Sequence, residues 1–384
     1  MSIRRLSVQS LRNLKSVDIE PASRLNIIYG ANGSGKTSLL EAINILSLGR
    51  SFRTRKHKTL INHELDQFTV FGRLHSASSV SISGDVSVGV QRSRNGDGLI
   101  RIDGRNVMSA VELAENLPVL AIDSHAFELL DGSPSVRRQY LDWLVFHVEP
   151  SFINVWKGLQ KCLKHRNSLL RRDKIDSLVL APWNAELARL STQMDEMRGR
   201  VFSLLSEAYR GLTDGFEDLK DVKLGYYRGW DREQPLAELL EFNQQRDFDL
   251  GYTRQGPQRA DVKITVGRGL ASDTLSRGQQ KIVACALLIA QGQVFSELTG
   301  RTSIYLIDDL PAELDARFRA TLAQWLCDMN TQIFVTGVEL DVLKAAWPEQ
   351  LQSSDQTKVF HVEHGAVSGS VICIEDSKLD TNTA

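Results

Sequence analysis

The chain has 384 residues, and its apolar and charged residues (42% and 24%) are those of an ordinary globular protein, long enough for two domains. A formal net charge of −1 excludes a globally basic nucleic-acid binder, so any such contact must come from a local patch. The four cysteines form no C-x-x-C pair, which argues against a zinc site or a disulfide framework and suits a reducing cytosol. No apolar segment follows Arg4 and Arg5, and the apolar run at 282–290 is shorter than a membrane helix requires. We therefore expect a cytoplasmic protein with no membrane partner.

The first part of the chain predicts a hairpin, a strand and a phosphate-binding loop. Residues 3–9 and 16–20 alternate like paired strands, and an apolar run at 25–29 follows them. The next residues have the spacing G-x-x-x-x-G-K-[ST], and a helical pattern from about 38 to 48 comes directly after. This strand–loop–helix context predicts a nucleotide-binding loop made of Gly30, Ala31, Asn32, Gly33, Ser34, Gly35, Lys36, Thr37 and Ser38.

The chemistry of this loop favours a nucleoside triphosphate. Its glycines let backbone N–H groups surround an anion, and the start of the following helix adds partial positive charge. Lys36 would reach the β- and γ-phosphates as a catalytic group, and Thr37 would offer its hydroxyl to Mg²⁺. We therefore predict ATP and Mg²⁺ as cofactors.

A cluster of basic residues follows the first helix. Most such clusters are solvated surface, but this one could also be a lid near the nucleotide or a contact to DNA phosphates. The candidate DNA-binding residues are Arg50, Arg53, Arg55, Lys56 and Lys58. From 68 to 107, short strand-like runs (one of them at 80–82) and glycine turns predict an antiparallel meander, and 119–122 predicts a buried strand.

The pattern changes to helical spacing after Gly132. Segments 135–148, 152–172 and 183–212 predict long helices, and we interpret 131–250 as an inserted helical lobe. Strands and helices then alternate, which predicts a largely parallel sheet. The predicted fold class is α/β: a split ATPase lobe (1–130 and 251–375) with an antiparallel meander, the helical lobe, and a disordered tail at 376–384.

Two further motifs accompany the phosphate loop. An apolar strand at 303–307 runs into Asp308 and Asp309, where one carboxylate would bind Mg²⁺ and Asp309 would position the attacking water as a catalytic residue. The sequence at 275–279 resembles the ABC-type signature L-S-G-G-Q. It places Ser276, Arg277, Gly278 and Gln279 at the start of an apolar helix, and such a helix N-terminus favours an anion. Because one chain already has one phosphate loop, this second half-site is best explained as serving the nucleotide of another copy in a head-to-tail homodimer.

These motifs resemble the ABC-like ATPase heads of the SMC family. Four local sequences narrow the resemblance to the branch of that family that acts in bacterial DNA replication and recombinational repair. These sequences are Leu11-Arg12-Asn13-Leu14, Ser51-Phe52-Arg53-Thr54, Gly132-Ser133-Pro134 with Arg137-Arg138, and Gly256 to Asp261. The resemblance runs from Ile3 to about Glu363. The chain departs from the family pattern at Gln258, Pro311 and Ala312; histidine is usual at the first of these positions and serine at the last.

The resemblance implies an ATP-dependent DNA-binding protein of DNA damage repair and the SOS response. It implies dimerisation on ATP binding, and binding of single- and double-stranded DNA at gaps and junctions. It also implies slow, DNA-stimulated ATP hydrolysis and cooperation with RecR and RecO in loading RecA. Arg137 and Arg138 are second candidates for DNA contact, with packing in salt bridges as the alternative.

Two other classes of protein compete with this interpretation. A transporter ATPase subunit would share the signature, but its phosphate loop and signature stand much closer together than Thr37 and Leu275 do here. A phosphate-loop kinase would explain the nucleotide site and leave the signature without a role. A DNA-repair clamp accounts for both motifs and for the inserted lobe.

Overall fold

The computed structural model describes residues 1–54, 56–75, 84–172, 177–310, 314–352 and 355–371. The strands are β1 Ser2–Leu11, β2 Leu14–Ile19, β3 Leu25–Tyr29, β4 Gln67–His75, β5 Asp85–Ser93, β6 Gly98–Ile102, β7 Arg105–Asn106, β8 Val119–Ile122, β9 Val222–Tyr227, β10 Asp261–Val266, β11 Gly269–Leu270, β12 Ile304–Ile307, β13 Ile333–Gly337, β14 Thr357–Glu363 and β15 Ala366–Val371. The helices are α1 Lys36–Leu48, α2 Ala110–Asn116, α3 Glu128–Asp131, α4 Pro134–Val148, α5 Phe152–Leu170, α6 Ser177–Thr213, α7 Leu236–Phe242, α8 Gln244–Leu250, α9 Ala271–Thr274, α10 Arg277–Thr299, α11 Ala316–Asp328, α12 Leu340–Lys344 and α13 Glu349–Gln352. Short 3₁₀ turns lie at His57–Leu60, Ser124–Phe127, Glu217–Leu219 and Pro257–Arg259.

The chain forms two compact units. The first contains 1–124 and 300–384, and the second contains 125–299. The sequence-based boundaries at 131 and 250 place 251–299 with the ATPase lobe, whereas contacts place this segment in the second unit. The reason is that β10 pairs with β9, and α10 packs against α6 and α4.

The first unit contains two six-stranded sheets. One is antiparallel in the order β2-β1-β4-β5-β6-β7, so the predicted hairpin and meander share one sheet. The other has the order β15-β14-β3-β13-β12-β8 and is parallel except for its edge strand β15. In this sheet β3 lies between β13 and β14, which come from the far end of the chain. The phosphate loop therefore follows a central strand, with both neighbours supplied by late sequence.

Helix α1 packs between these sheets. It contacts β1, β4 and β5 of the antiparallel sheet and β13 of the parallel sheet. Its apolar residues Leu39, Leu40, Ile43 and Leu46 are fully buried, and each such side chain contributes about 1.5–3 kcal/mol. A Cβ added at Gly72 in β4 would lie 2.6 Å from Leu46 Cδ1, so helix and sheet are in close contact. This packing holds the start of α1, and with it the phosphate loop, in a fixed position.

The second unit is mainly helical. The 37-residue helix α6 packs against α4, α5 and α10, and the small antiparallel sheet β11-β10-β9 completes the unit. Strand β9 was not predicted, because Gly225 interrupts its apolar pattern. Arg166 is fully buried and donates to Asp247 (2.8 Å), Asn184 (2.8 Å) and Thr253 (2.7 Å). A buried ion pair with several hydrogen bonds thus joins three segments of this unit.

Among the described helices, α10 alone has the length and mean hydropathy (1.5) of a membrane span. However, 67% of its most apolar window is buried inside the protein, as in the core helix of a globular protein. Length and composition are weak evidence in such a case. The strand-like run predicted at 80–82 and the tail predicted at 376–384 lie outside the described residues.

Candidate nucleotide-binding site

The phosphate loop needs glycine at three positions for two different reasons. Gly30 has φ 150°, and a Cβ there would lie 2.2 Å from the carbonyl oxygen of Val362 in β14. Gly35 has φ 122°, and its Cβ would lie 2.9 Å from Leu14 Cδ2. Gly33 has open space around it but a φ of 77°, which L-residues rarely adopt. Close neighbours therefore exclude a side chain at Gly30 and Gly35, and the backbone conformation favours glycine at position 33.

Lys36 lies in the first turn of α1 and points into the loop. Its Nζ donates hydrogen bonds to the carbonyl oxygens of Gly30 (2.7 Å) and Ala31 (2.9 Å). Burial lowers the pKa of this lysine, and the negative charges of Asp309 and Asp308 oppose that shift. The ammonium group is thus largely withdrawn from water and close to two carboxylates.

Asp308 and Asp309 follow β12 and lie next to the phosphate loop. The hydroxyl of Thr37 is 2.9 Å and 3.1 Å from the two carboxylate oxygens of Asp308. Thr336, fully buried at the end of β13, donates to Asp308 Oδ1 (2.8 Å) and accepts the backbone N–H of Asp309 (2.7 Å). Asp309 has φ 50°, an uncommon conformation for a residue other than glycine. One buried threonine therefore fixes both aspartates.

The donor set suits a magnesium ion shared with phosphate. The described residues contain no group of three or more His, Cys, Asp or Glu that could hold a metal by itself. Mg²⁺ usually binds one or two protein oxygens together with phosphates and waters. The adjacent oxygens of Thr37 and Asp308 fit that pattern.

Asn13 braces the phosphate loop, a role that the sequence did not reveal. Its Nδ2 donates to the carbonyl of Gly33 (3.1 Å), and its Oδ1 accepts from the hydroxyl of Ser38 (3.0 Å). On the other side, the N–H of Gly365 donates to the carbonyl of Ser34 (2.9 Å). Asparagine is common in turns, so its place between β1 and β2 did not indicate that it contacts Gly33 and Ser38.

The basic cluster after α1 is exposed. Arg50, Arg53, Lys56 and Lys58 are exposed, and none of them forms an ion pair with a described carboxylate. Arg55 lies outside the described residues.

This segment is anchored through Ser51. Its hydroxyl donates to the fully buried Glu41 of α1 and accepts the N–H of Arg53 (2.9 Å). Arg12, beside Asn13, also donates to Glu41 (2.8 Å). Hydrogen bonds thus connect the basic segment to the phosphate-loop helix.

Arg137 and Arg138, by contrast, are committed to contacts within the second unit. Arg137 forms a bidentate pair with Asp261 (2.8 Å and 3.1 Å), in which both side chains are less than 15% exposed. Arg138 donates to the carbonyl of Ala260 (2.7 Å). These contacts favour the packing alternative for both arginines.

The signature residues form the N-terminus of α10 in the second unit. Ser276 Oγ accepts the N–H of Gln279 (3.3 Å), and Gln279 Oε1 accepts the N–H of Ser276 (2.9 Å). This reciprocal pair is a capping box. Arg277 is 80% exposed and lies 3.3 Å from Asp131. A Cβ added at Gly278 would meet no described atom within 4 Å, so no contact within the described chain requires glycine there.

Of the three departures from the family pattern, only Gln258 is described. Its Nε2 donates to the carbonyls of Gln255 (3.0 Å) and Thr253 (3.3 Å). Pro311, Ala312 and the neighbouring Glu313 lie outside the described residues.

Residues 2–367 match the family model described as RecF/RecN/SMC N terminal domain. The DNA replication and repair protein RecF of Cellvibrio japonicus is 51% identical over 368 residues, which cover 96% of this chain and 99% of that protein. The chain belongs to the RecF family. The RecF proteins of Pseudomonas entomophila and Stutzerimonas stutzeri are 45% and 46% identical and cover 96% of this chain.

Solved structures show the same fold. A structure of the recombination mediator protein RecF with ATP, from the RecFOR pathway, has a TM-score of 0.82 at 24% identity and covers 96% of this chain and 97% of that one. An SMC head bound to the C-terminal winged-helix domain of ScpA has a TM-score of 0.57 at 15% identity and covers 98% of both chains. The predicted family and fold class are confirmed. RecF/SMC-type proteins are ATPases, which agrees with the phosphate loop described above.

Proposed function

We propose that this protein is an ATP-gated DNA-binding dimer of recombinational repair and replication, acting in the cytoplasm. The observation that carries this proposal is the pairing of Thr37 with Asp308 beside a phosphate loop. Thr37 and Asp308 would hold the Mg²⁺ that accompanies ATP, because its oxygen preference matches this hydroxyl and carboxylate. Membership of the RecF family supports the role in DNA repair.

ATP binding uses residues 30–38. The backbone N–H groups and the start of α1 cradle the phosphates, and Lys36 exchanges its two carbonyl partners for phosphate oxygens. Mg²⁺ supplies charge neutralisation at the transferred phosphoryl group. Asp309 orients the attacking water, and its short side chain favours slow turnover, suited to a switch.

The second subunit completes each nucleotide site through its signature. Ser276, Gly278 and Gln279 surround an exposed helix N-terminus, where the partial positive charge favours an anion, and a phosphate would replace the side-chain acceptors that the N–H groups of Ser276 and Gln279 now contact. The open space at Gly278 allows a phosphate from another molecule to approach the backbone closely. ATP can shift the equilibrium toward the dimer because it contacts the signature only in the closed state.

Closure brings the basic segments of both subunits to one DNA. Arg50, Arg53, Lys56 and Lys58 are exposed and available for phosphates, and Arg55 belongs to the same sequence cluster. Binding of gapped, single- or double-stranded DNA through phosphates falls steeply with salt concentration. DNA stimulates hydrolysis, and RecR and RecO act with the dimer to load RecA.

Two variants test the dimer mechanism by sedimentation velocity with Mg²⁺ and a non-hydrolysable ATP analogue. Lys36→Arg should abolish both dimerisation and stable DNA retention. Ser276→Arg should keep nucleotide binding to the monomer and lose the dimer. Ser203→Arg, the same substitution at an exposed position within α6, is the control and should dimerise normally. A wild-type protein that stays monomeric when saturated with the analogue at micromolar concentrations would refute the proposal.

A further inference from the structure

A small cleft lies in the second unit between α4, α5, α6 and the 3₁₀ turn at 257–259. Its volume is about 250 Å³, below the 300–1,000 Å³ typical of sites for drug-sized ligands, so it accommodates a single ring system. Its wall combines polar and apolar side chains, and the residues used below are Gln139, Trp156, Gln160 and Gln258. The nucleotide site lies in the other unit and does not include any of them.

Trp156 offers an aromatic surface at this cleft. It lies on the exposed side of α5 with 40% of its surface accessible, although tryptophan is usually well buried. Gln160, one turn further along α5, and Gln139 of α4 are also exposed at the cleft. An apolar ring surrounded by amide groups is the combination that receives a flat heterocycle with polar edges.

Gln258 lines another side of the cleft with a fixed amide group. Its Nε2 donates to the carbonyls of Gln255 and Thr253, and these two contacts fix the orientation of the amide. Its Oε1 is buried and has no hydrogen-bond partner in the described part of the chain. The oxygen faces the backbone at Gly256, so the fixed amide of Gln258 forms part of the cleft wall.

A basic face adjoins the cleft on the same helix. Helix α5 contains no aspartate or glutamate. Three exposed lysines lie along it: Lys157, Lys161 and Lys164. None of these lysines forms an ion pair with a described carboxylate. They span about 10 Å of helix axis, so their charges form one line beside the cleft.

We propose that Trp156 and this cleft receive an unpaired base of single-stranded DNA, while the lysines of α5 bind the adjoining phosphates. A base within a duplex is stacked between its neighbours, so only a single strand can offer a free ring face to Trp156. This inference rests on the proposed DNA-binding function and assigns the single-stranded part of a gapped substrate to the second unit.

The test compares single- and double-stranded oligonucleotides of one length by fluorescence anisotropy, using the full-length protein with Mg²⁺ and ATP analogue. Trp156→Ala should weaken single-strand binding about tenfold, because stacking on one aromatic side chain contributes that much, and should change duplex binding less than about twofold. Trp156→Phe keeps a stacking surface and should restore most of the affinity. Phe242→Ala removes an aromatic side chain that is 88% exposed on α7 and should have no effect.

Further measurements distinguish a base-stacking site from a general basic surface and from a docking site for an acidic protein. Glutamine at positions 157, 161 and 164 should reduce the slope of log affinity against log salt by about 2 for single strands. Unchanged single-strand affinity of Trp156→Ala, or an equal loss on duplex, overturns the proposal. Tighter, Trp156-dependent binding of polyglutamate also overturns it, in favour of an acidic protein partner. Duplex binding and ATP-dependent dimerisation, measured on the same samples, report separately on the proposed function.

Discussion

Thr336 controls the geometry of both candidate catalytic carboxylates, and Thr336→Val tests this role. Valine has nearly the same shape, so the change removes the hydroxyl and leaves the packing at the end of β13 intact. Two hydrogen bonds are lost: the one donated to Asp308 at 2.8 Å and the one accepted from the N–H of Asp309 at 2.7 Å. Because Thr336 is fully buried, no water replaces them.

The expected magnitude follows from these two bonds. A hydrogen bond to a charged group contributes about 1.5–3 kcal/mol, and a buried N–H without a partner costs about 1–3 kcal/mol. Asp308 keeps its contact with Thr37, so we expect the free energy of unfolding to fall by about 2–4 kcal/mol. Misplaced carboxylates should lower the rate of ATP hydrolysis about 10- to 100-fold, which corresponds to about 1.4–2.7 kcal/mol of activation free energy.

Three measurements check this prediction. Phosphate release gives the hydrolysis rate, a fluorescent ATP analogue gives nucleotide affinity, and thermal unfolding gives stability. Thr336→Ser keeps the hydroxyl and should retain hydrolysis near the wild-type rate. If valine and serine lower hydrolysis equally, or if valine has no effect, Thr336 does not position Asp308 and Asp309.

Further predictions concern the loop brace, a buried ion pair and a cysteine. Asn13→Ala removes both side-chain hydrogen bonds to the phosphate loop and should weaken ATP binding about 5- to 30-fold, measured by titration with a fluorescent analogue. Arg166→Met leaves Asp247 buried and unpaired and should lower the free energy of unfolding by about 3–5 kcal/mol, whereas Arg166→Met with Asp247→Leu should recover most of the loss. Burial raises the pKa of Cys162 to about 11, so at pH 8 the thiolate is about a thousandth of the population, and mass spectrometry after alkylation should find this thiol unmodified in folded protein.

Each of these predictions can fail in a distinct way. Unchanged ATP affinity in Asn13→Ala would mean that the loop holds its shape without the brace. A double variant as unstable as Arg166→Met alone would mean that lost packing, rather than an unpaired charge, causes the effect. Because the pKa of the Cys162 thiol is raised, its alkylation rate should increase about tenfold per pH unit up to about pH 11. A rate that levels off near pH 9 would contradict the burial argument.

Local spacing made the nucleotide site predictable from the sequence. The glycines, Lys36 and Thr37 occupy adjacent positions, and β3 and α1 flank them as the pattern indicated. Asp308 follows an apolar strand, so its place at the carboxyl edge of a parallel sheet was also predictable. These features depend on short segments and on the rule that parallel strands end at one edge.

Features that depend on distant contacts were not predictable. The roles of Asn13 and Thr336 arise only on folding, because Asn13 contacts Gly33 across 20 residues and Thr336 contacts Asp308 across 28 residues. The alternation of strands and helices after residue 250 predicted a largely parallel sheet, whereas β10 pairs antiparallel with β9 in a separate small sheet. The strands β14 and β15 were not predicted at all, although β14 pairs directly with β3. Side-chain periodicity shows that a segment is extended and gives no information about its partner.

The position of β3 between β13 and β14 has a consequence for synthesis of the protein. The phosphate loop emerges from the ribosome early, but the strands on both sides of β3 emerge only near the end of translation. Until Val362 and Gly365 have been synthesised, the backbone at Gly30 and Ser34 lacks the contacts that these two residues make with it. A nascent or prematurely terminated chain therefore carries the complete motif without a formed pocket, and nucleotide retention distinguishes finished molecules from fragments.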